Sequence, residues 1–322
     1  MNSMIPEPLQ SLQHFLAIRS IDGDVLKTLI DFAIQRKGEF RRGEWEPRSR
    51  GKVLAMIFQK SSLRTRLGFE TAMVQLGGHA INLEDHQIGV SQREDVRDIA
   101  RVISSMCDCI MARVYAHQLV VELASVSKVP VINGLSDWAH PCQAIADLMT
   151  IQEHFGTLAG LKVAYIGDGN NVARSLLNAC VKTGISCAIA APEGYALETA
   201  VIESAWICAK ETGATIETTT QPVEAVKQAD VVYTDVWTSM GQEAEQEKRE
   251  KAFAGFQVNE SLLQHAKRTV VVMHCLPAHR GVEIANGVVD GPQSVIFKQA
   301  ENRLHSQRAL LEILLSRPRE QS

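Results

Sequence analysis

The sequence predicts an α/β fold made of two doubly wound parallel-sheet domains. Short apolar runs rich in β-branched residues alternate with longer stretches of helical periodicity, and both halves of the 322-residue chain show this alternation. Hydrophobic residues make up 45% of the chain, so it can bury a large core, and its length suits two lobes better than one.

Each half contains four candidate strands. They are Lys52–Gln59, His79–Leu83, Cys109–Val114 and Val129–Asn133 in the first half, and Val163–Gly167, Ser186–Ala191, Val231–Val236 and Val270–Leu276 in the second. The glycine-bounded stretch Gly156–Gly160 breaks the pattern, and we place the domain boundary near residue 150, giving domains 1–150 and 151–322. Apolar spacing beyond Glu301 predicts an amphipathic terminal helix over about 301–316, and we expect it to pack back on the first domain.

Composition excludes several classes of partner. A formal net charge of -4 argues against an extended surface for nucleic acid or anionic membranes and favours small substrates. Seven cysteines, odd in number and unevenly spaced, do not form a disulfide framework, which favours a reducing compartment. The start of the chain, Met1–Pro6, lacks a basic region followed by an apolar run, so we expect a cytoplasmic protein.

A hydroxyl-rich and arginine-rich turn, Lys60–Arg66, follows the first strand and precedes a helical stretch. A helix amino terminus offers free backbone N–H groups and a positive dipole end, so such a turn is suited to phosphate, and Arg64 and Arg66 add positive charge. The turn is equally typical of a solvated loop with a capped helix. It contains no G-x-x-x-x-G-K-[ST] motif, which argues against nucleotide hydrolysis.

Polar residues follow three further strands, at the edge where open α/β sheets place their ligands. In His140–Asp147, Pro141 suits the first helical turn and leaves His140 and Gln143 at the helix start, where His140 could donate to a carbonyl oxygen or serve only as a cap. The other two groups are Asp235–Gly241 and His274–Gly281. Cys275, taken alone, is more typical of a small buried core residue.

Four of these motifs, together with a fifth near the end of the chain, occur in one order and spacing that resembles the ornithine carbamoyltransferases, within the aspartate/ornithine carbamoyltransferase family. They are Ser62–Arg66, His140–Gln143, Asp235 with Ser239–Gly241, His274–Pro277 and Ala300–Arg303. The similarity runs from about His14 to the terminal helix. The resemblance implies an enzyme without cofactor or metal that transfers the carbamoyl group of carbamoyl phosphate to the side-chain amine of L-ornithine.

The resemblance also implies roles for individual residues. Those expected to bind carbamoyl phosphate are Ser62, Leu63, Arg64, Thr65, Gln87, Arg113, His140, Gln143, Cys275, Leu276 and Arg303. Those expected to bind ornithine are Asn171, Asp235, Ser239 and Met240, and those expected to take part in the chemistry are Arg64, Arg113, His140, Asp235 and Cys275.

Two places depart from the family pattern. Leu63 stands where relatives often have Thr, so its contact would be made by the backbone, and about two extra residues between Gly89 and Glu94 affect the placement of Gln87. The family further implies a homotrimer, or a multiple of trimers, in which the loop Asp85–Glu94 reaches a neighbour's site, although such a polar loop is equally typical of a mobile surface.

The sequence also has features of other classes of protein. Gly167–Val172 resembles the turn of a nicotinamide dehydrogenase, but Val172 stands where a small residue is needed. Cys107 with Cys109, or His274 with Cys275 and His279, could suggest a metal, but neither set has the spacing of a zinc site. A non-enzymatic binding protein and a transferase acting on aspartate, putrescine or N-acylated ornithine are further alternatives.

Overall fold

The chain folds into two compact units, Met1–Met149 with Asn302–Ser322 and Thr150–Glu301. The structure, a computed structural model, describes residues 5–89, 93–239, 241 and 243–317, without the side chains of Gln87 and Glu243. Its strands are β1 Val53–Phe58, β2 His79–Glu84, β3 Cys109–Arg113, β4 Val131–Leu135, β5 Lys162–Ile166, β6 Ser186–Ala190, β7 Ile216–Thr219, β8 Val231–Thr234 and β9 Val271–His274.

Fourteen α-helical segments lie in the described part of the chain. They are α1 Glu7–Gln10, α2 Gly23–Arg41, α3 Leu63–Gln75, α4 Asp85–Ile88, α5 Val96–Met106, α6 His117–Val126, α7 Pro141–Phe155, α8 Asn171–Thr183, α9 Thr199–Thr212, α10 Pro222–Val226, α11 Gln246–Ala252, α12 Glu260–Leu263, α13 Asn286–Val289 and α14 Ile296–Leu315. Among the described residues, no helix combines the length and apolar character needed to cross a bilayer.

Each unit is built on one parallel sheet. The strand order is β2-β1-β3-β4 in the first unit and β7-β6-β5-β8-β9 in the second, and every strand pair is parallel. Strands β1, β3, β5, β8 and β9 are almost entirely buried, because helices cover a parallel sheet on both faces. The predicted doubly wound α/β class is therefore confirmed.

Strand β7 is the element that the sequence did not predict. Ile216 is buried, Glu217 and Thr218 are exposed, and Thr219 is half-buried. The strand forms one edge of the second sheet. With one apolar side chain, it lacks the continuous apolar run that marks the buried strands, which explains the omission.

Side-chain caps fix the starts of three of the longer helices, α3, α5 and α8. The Ser62 hydroxyl accepts from the backbone N–H of Thr65 at the start of α3, and the Asp95 carboxylate accepts from the backbone N–H of Arg97 at the start of α5. Asn170 accepts from the N–H groups of Val172 and Ala173 at the start of α8. These caps satisfy N–H groups that have no partner within their own helix.

From Asn302 onward the terminal helix belongs to the first unit, and the helix begins at Ile296 rather than near residue 301. Asn302 accepts a hydrogen bond of 2.6 Å from the buried Lys37 of α2. Farther along α14, Glu312 pairs with Arg36 at 2.7 Å and with Arg48 at 3.0 Å. These polar contacts, together with buried leucines, hold this part of α14 within the first unit.

Candidate active site

The first unit brings five polar residues together, which we call the arginine cluster: Thr65, Arg113, His140, Gln143 and Arg303. Arg113 is the last residue of β3, Thr65 lies in the first turn of α3, and His140 directly precedes α7. The ends of parallel strands and the starts of the following helices share one edge of a sheet, so the fold gathers these residues. All five side chains are buried.

Two guanidinium groups converge on one hydroxyl in the arginine cluster. The Thr65 Oγ1 accepts from Arg113 Nη1 at 3.4 Å and from Arg303 Nη2 at 3.3 Å. Arg303 Nη1 also donates to Gln143 Oε1 at 2.7 Å. Buried cations that share a neutral oxygen make an environment that favours an anion, and guanidinium groups match phosphate geometry.

His140 is neutral in this environment. Burial lowers the pKa of its imidazole well below the usual value, and the positive charges of Arg303, Arg113 and Arg64 lower this pKa further. A neutral imidazole retains one N–H donor. His140 is therefore suited to donate to a developing oxyanion without carrying a charge of its own.

The turn before α3 shows the capped helix that the sequence allowed, and its role in binding phosphate remains a prediction. Ser62 caps the helix through its contact of 3.3 Å with the Thr65 N–H, so this amide already has a partner. The side chain of Leu63 is exposed, which leaves only its backbone as a possible contact, and Arg64 is half-buried. Arg66 pairs with Glu70 at the surface, and the side chain of Gln87 lies outside the described residues.

The second unit contains another buried group around Asp235, immediately after β8. Asp235 Oδ2 accepts from Asn170 Nδ2 at 2.8 Å, and Oδ1 accepts from the Cys275 thiol at 2.9 Å and from the Val236 N–H at 2.8 Å. Cys275 is buried, as its core interpretation predicted, but it contacts a carboxylate rather than only apolar atoms. The group offers a buried negative charge suited to an amine or ammonium.

The remaining predicted ornithine residues lie at the edges of this group or outside the description. Asn171 begins α8 and is half-buried, while its neighbour Asn170 makes the contact with Asp235. Ser239 is half-buried, and Met240 lies outside the described residues. The sequence offered one signal for Asn170, which is its place at the start of a helix directly after a strand and a glycine turn.

A buried pair orders the segment that carries Cys275 and Leu276. His274 Nδ1 accepts from the Leu276 N–H at 2.8 Å, and His274 Nε2 lies 3.1 Å from the fully buried Glu283. Leu276 has a φ of 57° and precedes a cis proline bond. Glu283 and His274 thus hold a backbone conformation that residues other than glycine rarely adopt.

Within the described part of the chain, one set of three side chains could share a metal ion. The set is Asp235, His274 and Cys275, whose ligand atoms lie within 4.8 Å of one another. The candidate set taken from the sequence contained His279 where this set contains Asp235. Both ring nitrogens of His274 and the thiol of Cys275 already make the contacts given above, so a cation would have to displace them.

The glycine turn after β5 is used internally, which argues against a dinucleotide site. Asn170 occupies the first free N–H groups of α8, and these are the groups that would bind a pyrophosphate. Asp168 pairs with the buried Arg249. A Cβ on Gly169 would lie 2.5 Å from the backbone nitrogen of Leu197, so this glycine serves close backbone packing.

Comparison with known proteins agrees with this geometry. Residues 13–153 match the carbamoyl-P binding domain of aspartate/ornithine carbamoyltransferase, and residues 159–314 match its Asp/Orn binding domain. The chain belongs to the aspartate/ornithine carbamoyltransferase family. This carbamoyltransferase is similar to the ornithine carbamoyltransferase of Anoxybacillus flavithermus, with 52% identity over 94% of the chain and 96% of the relative.

Other relatives extend the similarity. The ornithine carbamoyltransferase of Pyrococcus horikoshii is 56% identical over 82% of this chain and 84% of its own length. The solved structure of the Pyrococcus furiosus ornithine carbamoyltransferase superposes with a TM-score of 0.92 at 50% identity, covering 94% of this chain and 97% of the other. The fold and the family of this carbamoyltransferase are thus established along most of the chain.

Proposed function

We propose that this carbamoyltransferase moves the carbamoyl group of carbamoyl phosphate to the side-chain amine of L-ornithine, giving L-citrulline and phosphate. The observation that carries the proposal is the convergence of Arg113 and Arg303 on Thr65, beside the neutral His140. Thr65, Arg113 and His140 of this buried anion site lie in residues 13–153, which match the carbamoyl-P binding domain, and Arg303 reaches Thr65 from the terminal helix. The relatives given above are all named ornithine carbamoyltransferases.

The reaction is a direct displacement at the carbonyl carbon of carbamoyl phosphate. The neutral ornithine amine attacks, and the carbonyl oxygen gains negative charge in a tetrahedral intermediate. The bond to phosphate then breaks, and the proton lost by the added nitrogen leaves with the phosphate as HPO4²⁻. Arg64, Arg113 and Arg303 would bind the phosphate and stabilise its charge as it leaves, while His140 donates to the carbonyl oxygen. Ser62, Leu63 and Thr65 would contribute contacts from the turn before α3, and Gln143 would contact the carbamoyl group.

The acceptor amine must lose a proton before it attacks. An amine of this kind has a pKa of about 10.4, so only a small fraction is neutral near pH 7. The buried carboxylate of Asp235, which also accepts from the Cys275 thiol, is the group we assign to positioning the amine. Asn171, Ser239 and Met240 complete the proposed ornithine residues, and Cys275 and Leu276 would also contact carbamoyl phosphate.

The alternative functions receive no support from the relatives. No relative given above is named as acting on aspartate, putrescine or N-acylated ornithine. In the glycine turn that suggested a nicotinamide dehydrogenase, the Asn170 side chain already accepts from the first N–H groups of α8, and Asp168 pairs with Arg249. The proposed reaction uses neither nucleotide nor metal.

We further propose that the enzyme is a homotrimer, or a multiple of trimers, with Gln87 acting on a neighbour's site. Supporting this, Leu63, Leu67 and Val74 expose large apolar side chains on α3, and Ile81 does so on the edge strand β2. Neighbouring apolar side chains of this size are typical of surfaces that bind another chain.

Subunit exchange tests the shared site. Mixing an inactive Gln87→Ala variant with an inactive Arg64→Ala variant should regenerate a minority of sites that carry neither defect, because every interface in a closed ring is the same contact. Recovered citrulline formation supports sharing. If verified exchange between two inactive parents recovers no activity, Gln87 serves the site of its own chain.

We assign the enzyme to the cytoplasm and to arginine biosynthesis. None of the seven cysteines, all of which lie among the described residues, forms a disulfide, which suits a reducing compartment. A relative from Pyrococcus furiosus with 56% identity over 265 residues is named as the anabolic enzyme. Deleting the gene should make the source cell dependent on added citrulline or arginine, and growth without either would contradict the assignment. Cell fractionation tests the compartment.

The direct test of the activity is an assay of the purified protein with carbamoyl phosphate and L-ornithine, without added nucleotide or metal. We expect citrulline and phosphate in equal amounts. Arg64→Ala should lose nearly all turnover while its circular dichroism spectrum is unchanged, since a phosphate contact is removed rather than a core residue. Phosphate release without citrulline, or unchanged kcat/KM in the variant, would contradict the proposal.

A further inference from the structure

We propose that Asp147 is a positioning residue that fixes the side-chain amide of Gln143, so that the amide oxygen and not its NH2 group is offered to carbamoyl phosphate. This inference rests on the proposed function. It assigns to Asp147 control over which acyl phosphate the enzyme accepts, through a contact with Gln143 rather than with the substrate itself.

The two residues lie one turn apart on the same face of α7. Both side chains are buried, with 1% of Asp147 and 2% of Gln143 exposed. Gln143 Nε2 donates to Asp147 Oδ1 at 2.8 Å, while Gln143 Oε1 accepts from Arg303 Nη1 at 2.7 Å. Each end of the amide therefore has its own buried partner.

The chemistry of these partners determines the orientation of the amide. An ionised carboxylate only accepts hydrogen bonds, and a guanidinium group only donates them. Rotating the Gln143 amide by half a turn would place oxygen against the Asp147 carboxylate and NH2 against the Arg303 guanidinium. Both contacts would then be repulsive, so Asp147 and Arg303 together permit one orientation.

This orientation decides what the arginine cluster recognises. Arg113, Arg303 and the neutral His140 supply N–H donors, which suit the phosphate and carbonyl oxygens of an acyl phosphate. Carbamoyl phosphate differs from acetyl phosphate in carrying an NH2 group where acetyl phosphate carries a methyl group. A carbonyl oxygen can accept two hydrogen bonds, so Gln143 Oε1 can accept from the carbamoyl NH2 as well as from Arg303.

The test compares three ligands in the wild-type enzyme and in Asp147→Asn. An asparagine at 147 can donate as well as accept, so the Gln143 amide loses its fixed orientation. We expect binding of carbamoyl phosphate to weaken about tenfold, the effect of losing roughly one hydrogen bond. The inhibition constants of acetyl phosphate and inorganic phosphate, measured by competition in the citrulline assay, should change less than about twofold, since neither ligand has the NH2 group.

A double variant provides the rescue. In Asp147→Asn with Gln143→Glu, the asparagine NH2 donates to one oxygen of Glu and the other oxygen accepts from Arg303, so a fixed acceptor and the net charge of the pair are restored. The preference for carbamoyl phosphate over acetyl phosphate should return towards the wild-type ratio. Gln143→Glu alone places two carboxylates in contact and should not retain this preference.

Glu312→Gln is the matched control, because it also converts a buried acid of the first unit to its amide, but at the ion pairs with Arg36 and Arg48. It should lower thermal stability without changing the ligand ratio. An unchanged ratio in Asp147→Asn, or equal weakening of all three ligands, would overturn the inference. A wild-type enzyme that forms no citrulline would instead refute the proposed function, so the two failures are distinguishable.

Discussion

Replacing Arg303 with methionine should remove about half or more of the stabilisation that phosphate gives to the folded protein. Arg303 and Arg113 both donate to Thr65 Oγ1, so their nitrogens lie within about 7 Å of each other, where like charges repel by roughly 2 kcal/mol at an effective dielectric constant of about 20. In the unliganded variant, relief of this repulsion offsets the lost hydrogen bonds to Gln143 and Thr65. The free energy of unfolding should therefore change by less than about 2 kcal/mol.

The effect on the liganded protein is larger. A hydrogen bond to a charged group contributes about 1.5–3 kcal/mol, so the Kd for phosphate should rise roughly 10- to 150-fold. At a phosphate concentration of about 100 times the wild-type Kd, the ligand adds about 2.7 kcal/mol to wild-type stability. The same concentration should add about 1.4 kcal/mol or less to Arg303→Met.

Urea denaturation with phosphate, and with chloride at matched ionic strength, measures both quantities. Arg308→Met is the control, because it removes another buried arginine of α14 that contacts Gln75 rather than the arginine cluster. This control should lose stability but keep the full gain from phosphate. A gain in Arg303→Met equal to that of the wild type would refute the placement of phosphate beside Arg303.

Three further predictions concern packing, protonation and thiol reactivity. Gly169→Ala should lower the free energy of unfolding by about 1–3 kcal/mol, because the new Cβ would lie 2.5 Å from the backbone nitrogen of Leu197. Gly38→Ala inside α2 should instead raise the free energy of unfolding by about 0.5–1 kcal/mol, and equal shifts of the two variants in urea denaturation would contradict this. The pKa of His140 is lowered in the folded protein, so below about pH 6.5 the unfolded chain binds a proton that the folded chain does not, and stability is lost as the pH falls. His140→Gln should reduce this loss between pH 7 and 5, and an unchanged slope of the free energy of unfolding against pH would contradict the prediction. Burial raises the pKa of Cys142 to about 12, so iodoacetamide at pH 8 should modify the half-buried Cys208 of the native protein well before Cys142. Equal modification rates of the two cysteines, measured by mass spectrometry, would contradict the prediction.

The sequence predicted the buried strands well because a strand covered on both faces reads as a continuous apolar run. Each of the eight predicted strands, including the half-exposed edge strand β2, lies within two residues of an observed one. Edge strand β7 was missed because its four residues, Ile-Glu-Thr-Thr, contain one apolar side chain. The start of α14 was placed about five residues late, because the prediction followed the apolar spacing of the later turns.

The candidate site was predictable where function depends on residues at the ends of strands, and less so where it depends on tertiary contacts. Arg113 ends a recognisable strand and His140 follows one, and the structure places both in the arginine cluster. The contact of Asn170 with Asp235 joins residues 65 positions apart in the chain, which no local pattern reveals. Glu283 is nine positions from His274, but it lies in an irregular segment whose path the sequence does not show. The roles of all the predicted site residues, Gln87 and Met240 among them, remain predictions.

The choice of acceptor amine distinguishes L-ornithine from the other candidate substrates. The enzyme is given ¹³C-labelled carbamoyl phosphate with equal concentrations of L-ornithine, putrescine, N-acetylornithine and L-aspartate, without metal or nucleotide, and the labelled products are identified by nuclear magnetic resonance. We expect citrulline to carry most of the transferred label. A larger share of label in the product of any other amine would contradict the assignment of Asp235, Ser239 and Met240 to ornithine.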